Sequence, residues 1–88
     1  MDDATRSDAG DTRVVMYCRS WCGDCRRAKR WLDEHDVTYE EIDIELVPEA
    51  ADTVRSIAGK IVTPTFEIGD ETCVDFDEPR LRRMLGVG

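Results

Sequence analysis

Two cysteines stand three positions apart in the short motif Cys22-Gly23-Asp24-Cys25. An apolar, partly β-branched run precedes the motif and a helix-period pattern follows it, so it lies where a strand turns into a helix. Free N–H groups and the helix dipole at such a position stabilise thiolate over thiol. We therefore predict Cys22 as the nucleophile in disulfide exchange, and Cys25, one helical turn deeper, as the thiol that resolves the mixed disulfide. Gly23 leaves room for the partner.

Positive charge is concentrated around these thiols. Residues 19–30 hold five basic residues and one acid, Asp24, for a net charge of +4, whereas the rest of the chain holds seven basic and nineteen acidic residues, for −12. This potential favours the Cys22 thiolate and attracts anionic thiols. Asp24 is expected to compete for the helix-terminal N–H groups, so we predict a Cys22 pKa that is lowered, but not extremely. The five basic residues are Arg19, Arg26, Arg27, Lys29 and Arg30.

Metal binding is the alternative use of the cysteines. Cys18 and Cys73 would complete a four-thiolate site, since half of a zinc site has the same Cys-x-x-Cys spacing. Free cysteines on strands are more often small buried hydrophobes, and we interpret Cys18 and Cys73 as core or peripheral thiols, with no metal bound. A related alternative is a carrier of a soft metal or an iron–sulfur cluster, held by Cys22 with Cys25 or with a small thiol.

Three further side chains near the motif have two interpretations each. Trp21 is either a platform for substrate or a half-buried packing residue. Asp24 is either a proton acceptor for Cys25 or an ordinary acid of the first helical turn, and we favour the second. His35, the only histidine, falls near the predicted end of the helix, where packing or a favourable charge explains it better than catalysis.

Strand and helix patterns alternate from Arg13 onward. They predict the order β-α-β-α-β-β-α. The first two strands, joined through a helix, should be parallel, and the final hairpin adds an antiparallel pair. The sequence therefore predicts an α/β fold with a four-stranded mixed sheet and helices on both faces. The predicted elements are the strand Val14–Tyr17, a helix from Cys22, the strand Thr38–Ile44, a helix from Pro48 to a stop at Gly59, the hairpin Thr65–Ile68 with Thr72–Val74, and a last helix capped by Asp77.

The composition of the 88 residues excludes several classes of function. Residues 1–12 hold four aspartates and no large apolar side chain after Met1, which predicts a disordered acidic leader before a folded domain at 13–88. A net charge of −8 opposes binding to nucleic acid or to an anionic membrane. No apolar run reaches the roughly 18 residues of a membrane span, and no export signal is visible. We expect a cytoplasmic monomer with reduced thiols.

Together these residues resemble the glutaredoxin-like proteins of the thioredoxin superfamily, over about residues 14–85. The resemblance rests on four segments, Val14–Tyr17, Trp21–Cys25, Tyr39–Ile44 and Val62–Thr65. It implies a thioredoxin-like fold and a small dithiol–disulfide oxidoreductase. The expected substrates are disulfide-containing proteins, or mixed disulfides with low-molecular-weight thiols, and no bound cofactor is implied.

The same resemblance implies further site residues. Pro64 would be cis beside the two cysteines, and the backbone of Thr63 would pair with substrate. Arg19 matches the family's basic thiol-binding position. Val74 and Asp75 stand where glutaredoxins carry a Gly-Gly pair near the glutathione site, so glutathione should bind poorly. The pattern is closer to mycoredoxins, which use mycothiol, or to glutaredoxin-like proteins reduced by a flavoprotein reductase.

Overall fold

The computed structural model of the chain describes residues 13–87, so the leader predicted at residues 1–12 lies outside the described range, as does residue 88. Within this range the order β-α-β-α-β-β-α is confirmed. None of the described helices is long and apolar enough to cross a membrane. The strands are β1 (Val14–Cys18), β2 (Glu40–Asp43), β3 (Thr65–Ile68) and β4 (Glu71–Val74), and the helices are α1 (Gly23–Glu34), α2 (Pro48–Ala58) and α3 (Glu78–Leu85).

The strands form one mixed sheet in the order β2-β1-β3-β4. Strand β1 runs parallel to β2 and antiparallel to β3, and β3 pairs with β4 as an antiparallel hairpin. All five residues of β1 are buried, because strands flank both of its edges and helices cover both faces of the sheet. The predicted α/β class with a mixed four-stranded sheet is confirmed.

Side chains alternate along β1 and divide the interior into two layers. One layer packs α1 and α3 against the sheet, and the other packs α2 against the opposite face. Each fully buried side chain of this size stabilises the fold by about 1.5–3 kcal/mol relative to exposure. The layers thus fix the end of β1 against the start of α1, which is where the motif lies. The larger apolar side chains with no exposed surface are Met16, Leu32, Phe66 and Leu81 in the first layer and Val54 in the second.

The helix ends follow the sequence signals closely. Pro48 opens α2, and Gly59 ends it with a φ of 81°, in left-handed backbone that favours glycine. Asp77 caps α3, as predicted, by accepting the backbone N–H of Arg80 at 3.2 Å. These ends hold the loops on either side of the hairpin in place.

Strand β2 is shorter than the predicted Thr38–Ile44. The carboxylate of Asp43 accepts the backbone N–H of Glu45 at 2.9 Å, and this side-chain turn ends the ladder. Ile44 therefore lies outside the strand. It still donates its N–H to the Cys18 carbonyl at 3.0 Å and is buried under α2.

Candidate active site

Cys22 lies at the point where β1 has ended and α1 begins. Its backbone N–H is bonded to the Arg19 carbonyl at 3.1 Å, which closes the turn between the two elements. Cys22 is the N-cap of α1, and its Sγ accepts the backbone N–H of Cys25 at 3.3 Å. Free helix-terminal N–H groups therefore point at a half-buried sulfur atom, as the spacing predicted.

The two thiols of the motif differ in exposure and in acidity. Partial burial works to raise the pKa of Cys22, but hydrogen bonds from the Cys25 thiol, the Thr63 hydroxyl and the first N–H groups of α1 outweigh it and hold this pKa below its ordinary value. Cys25 is only 1% exposed. Burial first, then its hydrogen bond to Cys22, raise the pKa of Cys25 to about 11. Cys22 is thus the more accessible and more acidic thiol of the pair, and Cys25 is a buried thiol that holds its proton more tightly.

The loop before β3 supplies the other side of the site. The peptide bond between Thr63 and Pro64 is cis, as the family resemblance implied. The Cys22 thiol donates to the backbone carbonyl of Thr63 at 3.4 Å. Arg19 Nε donates to the Thr63 hydroxyl at 3.1 Å. The fold therefore brings together the motif, Arg19 and Thr63, which are up to 44 residues apart in the chain.

Trp21 is 61% exposed, so the interpretation as a half-buried packing residue is wrong. Its Nε1 donates to Glu45 Oε2 at 3.1 Å, and the Arg19 guanidinium stacks over its ring at 4.4 Å. Leu46 and Val47, next to Glu45, are 79% and 41% exposed. Sequence reasoning missed these three residues, because only the parallel pairing of β1 and β2 brings their loop beside the motif.

Asp24 does not compete for the helix-terminal N–H groups, so that prediction is wrong. Its Oδ1 accepts from Arg27 Nη2 at 2.7 Å, one helical turn along the exposed face of α1. The N–H of Cys25 is bonded to the Cys22 sulfur instead. An ion pair between residues three positions apart on a helix is favourable, and it holds the carboxylate at Arg27. Gly23 is exposed, and a Cβ there would meet nothing within 4 Å.

Val74 and Asp75 line a groove of about 750 Å³ between the N-terminal part of α1 and the loop that leads into α3. Asp75 has a φ of 72°, a left-handed conformation usually taken by glycine, and its carboxylate accepts the N–H of Phe76 at 2.8 Å. Three lining residues are acids and one, Arg27, is basic but already paired with Asp24. The full lining is Arg27, Val74, Asp75, Phe76, Asp77, Glu78 and Pro79.

Cys18 and Cys73 are core residues, as interpreted from the sequence. Each is 1% exposed, and burial raises the pKa of Cys18 to about 12 and also raises that of Cys73. The Cys18 thiol donates to Glu41 at 3.2 Å. Among residues 13–87, no group of three or more His, Cys, Asp or Glu side chains is arranged to hold a metal ion. His35 Nδ1 lies 2.9 Å from a backbone carbonyl at the end of α1, which agrees with the packing interpretation.

A match to a family model shows which protein family the chain belongs to. The family model for glutaredoxin matches residues 14–73, which include β1, the motif, the cis-proline loop and the hairpin up to Cys73. The chain belongs to the glutaredoxin family. This glutaredoxin domain is 38% identical over 58 residues to a putative glutaredoxin of Mycobacterium tuberculosis, covering 65% of this chain and 69% of that protein.

Two other relatives widen the comparison. The global transcriptional regulator Spx of Listeria innocua is 36% identical over 55 residues, which are 62% of this chain but only 42% of Spx, so the glutaredoxin domain spans less than half of that relative. The solved structure of the glutaredoxin-like protein NrdH-redoxin from Escherichia coli superposes with a TM-score of 0.74 at 30% identity, over 81% of this chain and 92% of that one. This likeness confirms the thioredoxin-like fold.

Proposed function

We propose that this glutaredoxin-family protein is a dithiol–disulfide oxidoreductase in which Cys22 attacks and Cys25 resolves. The observation that carries the proposal is the asymmetry of the two thiols. Cys22 caps α1 with a lowered pKa, while Cys25 is buried one turn away with its pKa raised to about 11. The accessible, more acidic thiol is the one suited to attack an external disulfide, and the buried thiol, shielded from outside reagents, is placed to attack only the mixed disulfide formed one turn away.

The reaction runs in two exchanges that balance in electrons and protons. The Cys22 thiolate attacks one sulfur of a substrate disulfide, forms a mixed disulfide, and releases the other sulfur as a thiolate that takes up a proton. Cys25 then loses its proton to solvent and attacks the Cys22 sulfur. This step forms the Cys22–Cys25 disulfide and releases the second substrate thiol. The substrate gains two electrons, and the protein loses two.

We further propose that the substrates are disulfides in proteins. Trp21, next to the nucleophile in the chain, exposes apolar surface, and its bond to Glu45 joins it to the loop in which Leu46 and Val47 are also exposed. A small thiol compound would cover little of this surface, whereas a polypeptide that presents an apolar side chain next to its disulfide would bury it.

Mutation of Trp21 tests whether the natural substrates are protein disulfides or small disulfides. In Trp21→Ala we expect insulin reduction to slow several-fold, while the reaction with a small disulfide such as dithiodipyridine stays within about twofold. Trp21→Phe, which keeps an apolar ring but no N–H, is the matched control and should retain most of the rate with insulin. Equal loss with both substrates in Trp21→Ala would show that the side chain supports Cys22 rather than a protein substrate.

The electron donor that we propose is a flavoprotein reductase, or a thiol less anionic than glutathione such as mycothiol, and no cofactor need be bound. The groove at Val74 and Asp75 is acidic: its one cation, Arg27, is paired with Asp24, and of its three acids only Glu78 is paired with an arginine, Arg82. A site of this charge disfavours the two carboxylates of glutathione. NrdH-redoxin from Escherichia coli, the structural neighbour named above, is a glutaredoxin-like protein with a thioredoxin-like activity profile. A reduced dithiol of this kind suits the reducing cytoplasm.

A single-turnover assay tests the proposed reaction. Reduced protein, freed of other thiols, is mixed anaerobically with excess insulin, the reaction is quenched, and the thiols on insulin are counted after its separation from the protein. We expect one insulin disulfide to be reduced per protein chain, and none with Cys22→Ser. The matched control is Cys18→Ser, which keeps a donor for Glu41 and should retain full stoichiometry. An unreactive native protein, or a reactive Cys22→Ser, would overturn the proposal.

A further inference from the structure

We propose that Arg26 and Arg30, on the outward side of α1, form a docking surface for protein substrates that carry acidic side chains close to the cysteine under attack. We call these two residues the arginine face. The inference rests on the proposed function, and it deepens that function because it names the charge of the preferred substrate.

The two side chains of the arginine face are exposed and unpaired within the described part of the chain. None of the ion pairs among residues 13–87 includes Arg26 or Arg30. The other two basic residues of α1 are both paired, Arg27 with Asp24 at 2.7 Å and Lys29 with Glu41 at 3.0 Å. The arginine face therefore carries the positive charge of α1 that a partner can still neutralise.

Acidic residues of the same helix limit the extent of this surface. Asp33 and Glu34 follow Arg30 by three and four positions, a spacing at which opposite charges on a helix can pair. An arginine that precedes its acid is the less favourable order, and neither acid forms an ion pair with Arg30 among residues 13–87. The positive surface of α1 thus begins beside Cys22 and ends at Arg30.

The arginine face lies next to the nucleophile. The backbone N–H of Arg26 donates to the Cys22 carbonyl at 3.3 Å, which places Arg26 one helical turn beyond Cys22. Arg30 follows one turn later on the same side, so the two lie about 6 and 12 Å from Cys22 along the helix axis. Gly23 is exposed between them and the nucleophile, and it has no side chain to block the path.

These spacings define where the acids of a substrate would lie. An extended polypeptide advances about 3.3 Å per residue. A substrate segment that runs from Cys22 along α1 therefore reaches Arg26 about two residues from its own cysteine, and Arg30 about four residues from it. A guanidinium group can bind a carboxylate through two parallel hydrogen bonds, so each arginine suits a glutamate or aspartate at these positions.

The size and charge of the surface favour an acidic polypeptide over a small anionic thiol. Trp21 exposes apolar surface on the other side of Cys22. A polypeptide that crosses the nucleophile can contact this ring and the arginine face together, whereas a small thiol covers only the neighbourhood of Cys22. The chain as a whole has a net charge of −8 and repels an acidic partner. The local positive charge therefore directs such a partner to α1.

Peptides with one cysteine activated as a 2-pyridyl disulfide test this preference. Cys22 attacks the peptide sulfur and releases pyridine-2-thione, whose absorbance gives the rate, and Cys25 then releases the peptide as a thiol while the protein is oxidised. Three peptides carry glutamate, glutamine or lysine at two and four residues on both sides of the cysteine. Each rate is divided by the rate with 2-mercaptoethanol, which corrects for the intrinsic reactivity of the peptide.

We expect the native protein at low salt to react about fivefold faster with the glutamate peptide than with the glutamine peptide, as for two exposed ion pairs. The lysine peptide should be the slowest. In 0.5 M NaCl the three rates should agree within about twofold. Arg26→Gln combined with Arg30→Gln should remove the preference, and Arg26→Glu combined with Arg30→Glu should reverse it.

Arg55→Gln is the matched control. It removes the same charge from an exposed position of α2, on the opposite face of the sheet, and should keep the preference for the glutamate peptide. Equal rates with the glutamate and glutamine peptides in the native protein would overturn the docking surface. A preference that survives both changes to glutamine, or that Arg55→Gln also removes, would overturn it as well.

A binding measurement separates this surface from the proposed reaction. A native protein that reduces none of the peptides would disprove the proposed function, and the surface is then tested with peptides that have serine in place of cysteine. In an NMR titration, the glutamate peptide should shift the amide signals of Arg26 and Arg30 more than the glutamine peptide does. Equal shifts with the two peptides would overturn the docking surface.

Discussion

The geometry of the site predicts that an alkylating reagent reacts selectively with Cys22 at neutral pH. When the native protein is exposed to a limited amount of iodoacetamide at pH 7, we expect Cys22 to react much faster than Cys25. The two thiols share one helical turn, so the difference comes from their surroundings. Cys22 accepts helix-terminal N–H groups at a half-buried position, while Cys25 points into the core.

The pKa values set the size of the effect. The pKa of Cys25 is raised to about 11, mainly by burial, whereas the pKa of Cys22 is lowered from the ordinary value of 9.0 from which both thiols start. A gap of more than about 2 units gives Cys22 more than about 100 times the thiolate of Cys25 at pH 7. Nucleophilicity falls with pKa at a slope of about 0.4–0.5, which removes about a factor of ten. The remaining preference is at least about tenfold, before the limited access of iodoacetamide to the buried Cys25 is counted.

Peptide mapping by mass spectrometry during the reaction gives the rate at each cysteine. The rate at Cys22 should rise with pH and level off at a lower pH than the rate of an ordinary cysteine, and the three other thiols should react slowly throughout. Cys22→Ser provides the control, since its remaining thiols should all react at the slow rate. Comparable rates at Cys22 and Cys25, or a Cys22 rate that still rises tenfold per unit above pH 9, would refute the reasoning.

Three further predictions follow from particular contacts. Cys25→Ser should trap a covalent mixed disulfide between Cys22 and a protein substrate, which is visible on a non-reducing gel. Cys73→Ser is the control and should retain most activity. Repeated turnover of protein disulfides by Cys25→Ser would contradict the resolving role of Cys25. Changing Val74 and Asp75 together to glycine should improve glutathione-dependent turnover, because it removes a side chain and a negative charge from the groove; efficient, saturable turnover with glutathione in the native protein would show that these residues do not matter. Phe66→Ala should lower the free energy of unfolding by about 3–5 kcal/mol in urea, since the ring has no exposed surface; a loss below about 1.5 kcal/mol would mean that the core refills the space.

Local signals in the sequence determined most of the fold and the centre of the site. Pro48, Gly59 and Asp77 mark helix ends through backbone restrictions that act within one turn, so they could be read directly. The Cys-x-x-Cys spacing at a strand-to-helix turn was sufficient to predict an N-cap thiol and a buried thiol one turn later. Each of these features depends only on residues within a few positions of one another.

The tertiary structure decided what surrounds the two thiols. Asp24 could have bonded to the helix terminus or to a neighbouring side chain, and only the three-dimensional arrangement of the side chains on α1 shows that it bonds to Arg27. The contact of Arg19 with Thr63 and that of Trp21 with Glu45 join residues 44 and 24 positions apart. Such pairs have no periodic or local signature, because strand pairing in the sheet, rather than the chain between them, sets their distance. The sequence therefore determined where the chemistry lies, and the packed sheet determined which side chains control it.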